Sequence, residues 1–564
     1  MLKIENERAM SRLLSIGTAV VTSLVVTSSL TDPVNVTKFF ALGGIALGLF
    51  TIILISKPKF LLKANKSVLV MVVLFLFASV NSVINSDSPM TQLLYGVYGR
   101  NTGFLTYTYL LILFIAALTL SKRKSFEIVI LGFFAAGAIN LIYCLWVIAF
   151  GDFLSWQNQY GNILGTFGNP NFSGSFLAMI TTSICAYLFK PNLDKKVRLA
   201  LVGVVFVGVF EVYKSQALQG RVLLLFGLGF LFLLLILNKY KLLPLIYLTV
   251  VVVVAVVAVL GTLQKGPLAG LLYKTSVSLR GQYWLAGWNM GENHPWTGVG
   301  FDSYGDWYRR ARDAQALISP GVNVTSNAAH NIPMDLFAFG GWPLLLSYVG
   351  IIILTVIAIV KILKRLQSFD YLFAILSTAW LSYELQSLIS INQIGLAIWG
   401  WVLSGMIIAY ERITRADQEI LNNPPNLGTK QKKYQKTQIV SAGLVAGIGI
   451  VAGLIISAPP LAADLKFREA QESRDATKFQ NAATPSFMNP QHIQKYGIVV
   501  GVFEDNQIFD KAHYYAQQAV KFNPEAYETW RLLYLISKST PEEKSVALEN
   551  MKRLDPLNPD VATK

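Results

Sequence analysis

Long apolar segments recur along almost the whole chain, and they limit its possible folds more than any other feature. A segment of about 17 to 25 mostly apolar residues can cross a bilayer as a helix, and about thirteen such segments occur. They lie near 13–30, 38–56, 67–85, 104–121, 127–150, 171–189, 199–215, 222–238, 242–262, 335–360, 370–389, 393–411 and 438–457. With 53% hydrophobic and 14% charged residues over 564 positions, the chain is more apolar than one soluble core requires. We therefore predict an all-α, polytopic transmembrane helix bundle, with the lipid bilayer as a partner.

Lysine and arginine are distributed unevenly between the loops, and short basic loops are retained on the cytoplasmic side. One set of alternate loops holds Lys57, Lys59, Lys63, Lys66, Lys122, Arg123, Lys124, Lys190, Lys195, Lys196, Arg198, Lys361, Lys364, Arg365, Arg412, Arg415, Lys430, Lys432, Lys433 and Lys436. This bias predicts a multi-pass topology with a cytoplasmic N-terminus, a retained first helix and a large extracytoplasmic loop at 263–334. Because most of the formal net charge of +16 follows the topology, we expect no nucleic-acid partner.

The composition changes after the last apolar segment, where the chain becomes polar and rich in helix-forming residues. We expect two domains, a transmembrane core at 1–457 and a small soluble helical domain at 458–564 outside the cytoplasm. Two helical stretches of this tail end in Asn523-Pro524 and Asp555-Pro556, a spacing close to the roughly 34 residues of a tetratricopeptide repeat. An irregular helical cap with no repeat ancestry is the alternative. A protein partner is a further expectation for this domain.

Five polar stretches resist a simple packing explanation, and the predicted topology places all of them at the extracytoplasmic face. They are "YGVYGRNTGF" with Arg100, "GTFGNPNFSG" with Asn169 and Asn171, "SQALQGRVLL" with Arg221, "SLRGQYWLAGW" with Arg280, and "SNAAHNIPMDLFAFGG" with His330 and Asn331. Their shared side favours a single site.

Each stretch also has a simpler interpretation. The arginines at 100 and 221 lie near span ends, where arginine often reaches for the interface, and Arg280 could be a solvated loop residue. The Gly-Asn-Pro-Asn run could be a turn that starts a helix, and His330 could be satisfied by backbone groups at a helix start. Gly340 and Gly341 are expected to let the following helix bend or pack closely.

The chemistry of these residue types points to a phosphorylated substrate. Guanidinium groups bind phosphate oxygens through a rigid fork of donors, so the arginines would suit a lipid-linked diphosphate. A histidine near neutral pH can accept a proton from an attacking hydroxyl, which makes His330 a candidate general base that Asn331 could orient.

Glu292 and His294 come closest to a metal site but form a poor cage, so we expect no metal and no cofactor. Cys144 and Cys185 lie in apolar stretches and are expected to act as small hydrophobes.

At these residues the sequence resembles the O-antigen ligase and polymerase superfamily of membrane glycosyltransferases. The resemblance runs from about Arg100 to Gly405. It comprises "GNPN" before a span, "GR" opening the next outer-facing span, "R" followed by "W..GW......HPWTGVGFDSY", and "HN" followed by "D" and "GG".

The resemblance implies a GT-C-like bundle of about 12 to 13 spans with a large extracytoplasmic loop. It also implies an inverting, metal-independent transfer of glycan from undecaprenyl diphosphate to an acceptor hydroxyl at the outer face of the plasma (inner) membrane. Arg221 and Arg280 would hold the diphosphate, His330 would activate the acceptor, and Arg100, Asn169 and Asn171 would shape the substrate-binding site.

The acceptor stays open at this point, because the tail distinguishes this chain from the simplest ligases. An O-antigen ligase transfers to a lipid acceptor, a polymerase to another lipid-linked glycan, and a protein O-oligosaccharyltransferase to a protein hydroxyl. A function of another class, a transporter or flippase of lipid-linked glycans, is also open, since Glu211, Glu384 and Gln386 lie in or near spans. A membrane anchor that presents the tail would leave most of the spans unexplained.

Overall fold

The protein is almost entirely helical in the parts that its computed structural model describes, which are residues 4–56, 66–156, 158–237, 239, 243–262, 275–422 and 441–562. The longer helices are α1 (Ile4–Ser23), α2 (Asn35–Ser56), α3 (Lys66–Ile84), α4 (Met90–Tyr95), α5 (Phe104–Leu118), α6 (Arg123–Phe150), α7 (Pro170–Tyr187), α8 (Lys195–Lys214), α9 (Leu218–Ile236), α10 (Leu243–Thr262), α11 (Thr275–Asn293), α12 (Tyr304–Ala311), α13 (Ile332–Arg365), α14 (Tyr371–Ser387), α15 (Ile394–Asn422), α16 (Ala442–Ser473), α17 (Ala476–Ala483), α18 (Ile493–Asp505), α19 (Phe509–Phe522), α20 (Tyr527–Leu535) and α21 (Pro541–Leu554). The basic residues at 57–63 and 430–436, which the charge bias assigns to the cytoplasm, lie outside the described residues. So does the first part of the loop at 263–334.

A helix lies at each of the thirteen predicted spans. Within the described ranges, seven helices are both long and apolar enough to cross a membrane. They are α2, α3, α6, α9, α13, α15 and α16. The polytopic helical bundle is thus confirmed, whereas the number of spans stays a prediction.

The end of the first predicted span is wrong, because α1 stops at Ser23 and not near residue 30. The chain instead turns so that the Asp32 carboxylate accepts hydrogen bonds from the backbone N–H groups of Val34, Asn35 and Val36. These are donors that the first turn of a helix leaves without partners. The polar segment after α1 is therefore used to start α2.

Helices α2 and α16 pack closely along a row of small residues. A side chain at Gly43 or Gly453 would collide with the facing helix, since Gly43 lies against Ser457 and Gly453 lies against the Gly43 carbonyl. Small residues at such spacing let two membrane helices approach at backbone distance. This packing fixes the last membrane helix, and the tail that follows it, against the start of the chain.

The break expected at Gly340 and Gly341 is confirmed. Gly341 has a φ of 63°, a left-handed conformation that favours glycine, and it interrupts the regular geometry of α13. A side chain at Gly341 would also collide with the Pro295 carbonyl. The break lets α13 bend against the loop that precedes α12.

The loops gather at the two ends of the bundle. At one of them, here called the basic end, Arg123 pairs with Asp370 at 2.8 Å, Arg365 pairs with Glu411 at 2.8 Å, and Arg412 donates to the Leu120 carbonyl. These residues belong to the loops that the charge bias assigned to the cytoplasm. The orientation of the bundle in the membrane stays a prediction.

The other end, here called the site end, carries the five candidate stretches. Asn35 donates to the Gly99 carbonyl at 2.7 Å, which joins the start of α2 to the loop that contains Arg100. Gly168, in the run that precedes α7, lies against Val34. Helix α9 reaches the start of α7 through a hydrogen bond of 3.0 Å from Gln219 to Ser175.

The tail has an apolar core of its own, formed around Phe467, Phe479, Val499 and Phe503. Helix α16 enters it without a break, so the predicted boundary at 457/458 falls inside one continuous helix. Neither the division into two domains nor the repeat ancestry of the tail is settled by this arrangement, and both stay predictions.

Three arginines at the end of α12 dock the tail onto the site end: Arg309 and Arg310 lie in its last turn, and Arg312 directly follows it. Arg309 and Arg312 both pair with Asp555, at 2.9 and 2.8 Å, and all three side chains are almost completely buried. Arg310 pairs with Glu525. Breaking a buried ion pair from one side leaves an uncompensated charge, so this junction holds the tail in a single position.

We expect Asp555→Ala to detach the tail, because it leaves two buried guanidinium groups without their carboxylate. The expected loss is about 3–5 kcal/mol of stability at the junction. Thermal unfolding and limited proteolysis of the full chain in detergent measure it, with new cleavage expected between 473 and 562. Glu472→Ala is the control, because it removes an exposed pair with Arg468 and should change stability by less than about 1 kcal/mol. Equal protease resistance of Asp555→Ala and the native chain would contradict the docking role.

Candidate functional site

The loop that contains Arg100 is held by a buried carboxylate, Asp302. This carboxylate accepts hydrogen bonds from the Val97 N–H at 2.8 Å and from the Thr102 hydroxyl at 2.9 Å. Its second oxygen lies 3.6 Å from the Arg100 guanidinium. Gly96, with a φ of 86°, lies so close to Asp302 that a side chain there would collide with it. The loop conformation, and with it the position of Arg100, follows from this one acceptor.

Arg100 also contacts the stretch that contains His330. One guanidinium nitrogen donates to the Asn327 carbonyl, three residues before the histidine. Two segments more than 200 residues apart in sequence are therefore brought together at the site end. The candidates Arg100 and His330 belong to the same neighbourhood, as their shared predicted side had indicated.

His330 lies at a constrained point of the chain. Its φ is +56°, a left-handed conformation that is uncommon for residues other than glycine. On one side, the Ala329 N–H donates to the Asp335 carboxylate at 2.7 Å; on the other, Asn331 caps α13 by accepting from the Met334 N–H. The imidazole stacks on the Tyr283 ring with centroids 5.6 Å apart. Backbone and ring are both held in place by neighbouring groups.

Two arginines shape the electrostatic environment of His330. Burial, and then the positive charges of Arg280 and Arg100, lower the pKa of His330 from 6.5 to about 4. The imidazole is therefore neutral at physiological pH and able to accept a proton. In the described chain, neither of its ring nitrogens has a hydrogen-bond partner, so both are available to a substrate.

Arg280, on α11, carries a charge that no carboxylate among the described residues offsets. Burial lowers the pKa of its guanidinium, whose Nε is enclosed and has no hydrogen-bond partner. Across the described ranges no carboxylate pairs with it, in contrast to Arg100, Arg309 and Arg312. A buried, uncompensated cation is costly unless an anion binds there. The position therefore suits an anionic substrate group.

The structure assigns structural contacts to both helix-starting asparagines. The Asn331 amide caps α13 and donates to the Leu388 carbonyl at 2.9 Å, so it does not hold the imidazole. Asn169 caps α7 by accepting from the Asn171 N–H at 2.9 Å, with Pro170 in the first turn. The turn interpretation of this run thus describes its local geometry. Substrate binding by Asn169, Asn171 and Asn331 stays a prediction.

Arg221 lies at the start of α9, apart from the group formed by Arg100, Arg280 and His330. Its guanidinium stacks on the Tyr213 ring at 4.9 Å and donates to the Tyr213 carbonyl at 3.2 Å. The same helix turn contacts α7 near Asn171 through Gln219 and Ser175. Arg221 therefore shares the site end and the neighbourhood of the Gly-Asn-Pro-Asn run, and its role toward a diphosphate stays a prediction.

The two candidate metal ligands are engaged elsewhere: Glu292 accepts from the Trp288 indole N–H at 2.8 Å, and the His294 ring packs edge-on against Trp307. Asp302 and Asp335 were not among the site residues predicted from the sequence. Both stand in quoted motifs, "GVGFDSYG" and the "D" that follows "HN", and both fix site residues through hydrogen bonds. An aspartate among apolar and aromatic residues was the signal that the sequence offered in each motif.

Asp335 is expected to act as a positioning residue, since it binds the N–H next to His330. Asp335→Ala leaves that N–H unpaired and should cost about 1–3 kcal/mol of stability, with loss of the left-handed geometry at His330. Asp335→Asn keeps an acceptor oxygen and should retain most of the stability. Thermal unfolding of both variants, with histidine NMR of the His330 signal, compares them. Equal behaviour of the two substitutions would contradict this role.

Residues 212–349 match the family model for O-antigen ligase. The matched segment contains Arg221, Arg280, His330 and Asn331, whereas Arg100, Asn169 and Asn171 precede it. No curated protein matches the chain.

Proposed function

We propose that this multi-pass membrane protein, whose residues 212–349 match the O-antigen ligase family model, transfers a glycan from undecaprenyl diphosphate to an acceptor hydroxyl. It is a membrane enzyme related to surface polysaccharides. We place the transfer at the outer face of the plasma membrane, with the N-terminus in the cytoplasm and the tail outside. The acceptor is a lipid, a second lipid-linked glycan or a protein.

One observation carries the proposal: the pKa of His330 is lowered by burial and then by the charge of Arg280, an arginine with no counter-ion among the described residues. A glycosyl diphosphate needs positive charge at its phosphates and a proton acceptor at the attacking hydroxyl. Arg280, with Arg100 close by, supplies the charge, and His330 supplies the acceptor. Both arginines lower the pKa of His330, which places the two functions within electrostatic range of each other.

The proposed reaction is a single displacement. The acceptor hydroxyl oxygen attacks the anomeric carbon, and the bond between that carbon and the diphosphate oxygen breaks. The hydroxyl proton passes to an imidazole nitrogen of His330, and undecaprenyl diphosphate leaves with the bonding electrons. Attack opposite the leaving group inverts the anomeric configuration. Guanidinium groups, and not a metal, offset the charge on the leaving diphosphate, with Arg221 as a further candidate for this role.

We expect His330→Ala to lower kcat by about 10²- to 10⁴-fold, the usual contribution of a general base. The measurement is glycan transfer in liposomes with purified protein and a lipid-linked donor, with and without a chelator. Chelation should leave the native rate unchanged. His513→Ala is the matched control, since His513 pairs with Glu543 in the tail. Strict dependence on a divalent cation, or native activity of His330→Ala, would overturn the mechanism.

The pKa of His330 should depend on the donor. In the free chain the pKa is about 4, so the ring accepts protons at any pH above that value. A bound diphosphate offsets the positive charge of Arg280 and should raise the pKa toward 6.5. We therefore expect the acid limb of kcat/KM to lie below the acid limb of kcat on the pH axis.

Histidine NMR gives an independent reading of the same prediction, because the chain has only four histidines. The signal that disappears in His330→Ala identifies this residue, and its titration reports the pKa directly. Arg280→Gln should raise the pKa of His330 in the free chain, because it removes one of the charges that lower it. An ordinary pKa of His330 in the native chain, or no response to Arg280→Gln, would contradict the electrostatic argument.

A transporter or flippase is the second candidate, and Glu211 is the observation that favours it. Its carboxylate is buried within α8, and neither oxygen has a hydrogen-bond partner in the described chain. Ionisable groups inside spans often mark transport paths. Movement of a lipid-linked glycan by purified protein that persists in His330→Ala and stops in Glu211→Gln would favour this function over transfer.

A further inference from the structure

A cleft of about 310 Å³ lies where the tail meets the loop that contains Arg100. Its walls come from the segment around α4, from the turns of α12, and from the tail near the starts of α18 and α20. The size is at the lower end of the roughly 300–1,000 Å³ of small-molecule sites. None of the candidate catalytic residues lines this cleft, so it is distinct from the site around His330.

Three polar groups on the walls are buried and have no hydrogen-bond partner among the described residues. They are the Thr91 hydroxyl, the Asn101 side-chain carbonyl and the Gln491 side-chain carbonyl. Asn101 is 4% exposed and Gln491 is 5% exposed. Buried polar atoms in proteins nearly always have hydrogen-bond partners, and an orphaned one calls for an explanation. Three such atoms on one cleft, from both the core and the tail, indicate a polar ligand with hydroxyl donors.

An aromatic surface with one free donor completes the cleft. The Tyr98 and His492 rings stack in parallel, with centroids 4.1 Å apart, and Tyr98 donates to Asp464 at 2.6 Å. His492 Nδ1 accepts the Lys495 N–H at the start of α18. Burial, followed by the charge of Lys495, holds the pKa of His492 well below 6.5. The neutral ring therefore carries its proton on Nε2, a donor with no partner in the described chain.

The charges on the walls exclude an anionic ligand. Asp306, Asp464 and Glu528 line the cleft, and its one arginine, Arg309, is already paired with Glu528 and Asp555. A diphosphate would meet carboxylates there. An acyl chain would leave the orphaned amide and hydroxyl groups unpaired. A neutral ligand with many hydroxyl groups and apolar C–H faces fits both constraints.

We propose that this cleft binds a short segment of neutral saccharide, with hydroxyl groups that donate to Asn101 and Gln491 and accept from His492. The proposal rests on the proposed function, because it places the saccharide on the same glycan that is transferred or extended. Asn101 directly follows Arg100, and Asn327, whose carbonyl accepts from Arg100, also lines the cleft. The bound sugars thus lie beside the reaction centre, on the donor glycan or on the acceptor.

The test is direct binding of short neutral oligosaccharides of hexoses and N-acetylhexosamines to the full chain in detergent. A glycan array identifies the oligosaccharides that bind. Titration of the tightest-binding oligosaccharide then gives the dissociation constant. We expect Thr91→Val to weaken binding by about 3- to 10-fold, the effect of one lost neutral hydrogen bond. His492→Asn should weaken it at least as much, because asparagine keeps the helix cap but removes the stacked ring and its donor.

Matched controls and a second assay make the outcome decisive. Thr484→Val and His513→Asn change the same residue types in the tail, away from the cleft, and should bind like the native chain. His330→Ala should bind like the native chain while losing transfer, so failure of the transfer mechanism and failure of the cleft are separable. In transfer assays, a higher KM for the donor or for the acceptor in Thr91→Val identifies which glycan occupies the cleft.

Three results would overturn the proposal. The first is that no neutral oligosaccharide binds the native chain. The second is native-like binding and native-like KM values in both Thr91→Val and His492→Asn. The third is capture of a peptide in the cleft, shown by crosslinking from Gln494, that oligosaccharide does not displace.

Discussion

The buried carboxylate of Asp302 joins the parts of this molecule that meet at the candidate site. It holds the Arg100 loop through Val97 and Thr102, and it faces the Arg100 guanidinium. Arg100 in turn reaches the chain just before His330. The segment that continues from Asp302 forms α12, whose arginines dock the tail. The Asp302 carboxylate thus connects three regions that are far apart in sequence. Removing either partner of its buried ion pair with Arg100 would carry a large cost in stability.

The candidate site concentrates features that are energetically unfavourable on their own. His330 has a left-handed backbone, and Arg280 is a largely enclosed cation without a counter-ion among the described residues. Such features persist when the surrounding structure fixes them, here through Asp335, Asn331 and the Tyr283 ring. Arg100 differs because Asp302 already offsets its charge. Within the described chain, Arg280 is therefore the arginine of this group whose charge is not offset, and Arg100 both joins two segments and adds to the positive charge near His330.

The sequence predicted the features that depend on local pattern. Span-length apolar runs gave the helical bundle, the two glycines gave the break in α13, and the shared side of five polar stretches gave Arg100 and His330 as neighbours. It did not predict pairings such as Arg312 with Asp555, because 243 residues separate them and no periodicity links them. The early end of α1 was missed for a related reason, since the Asp32 cap becomes meaningful only once α2 is placed.

The tail is attached to the core at two independent places, and these attachments set the width of the cleft. The small-residue contact of Gly43 with Ser457 fixes the root of the tail to α2, while Arg309 and Arg312 hold its far end through Asp555. The cleft lies between these two attachments, so its width is set by packing and not by a flexible linker. His330 is held by contacts within the core alone. The cleft and the surroundings of His330 therefore depend on separate sets of contacts, so a substitution that loosens the tail can change the cleft and leave the geometry of His330 unchanged.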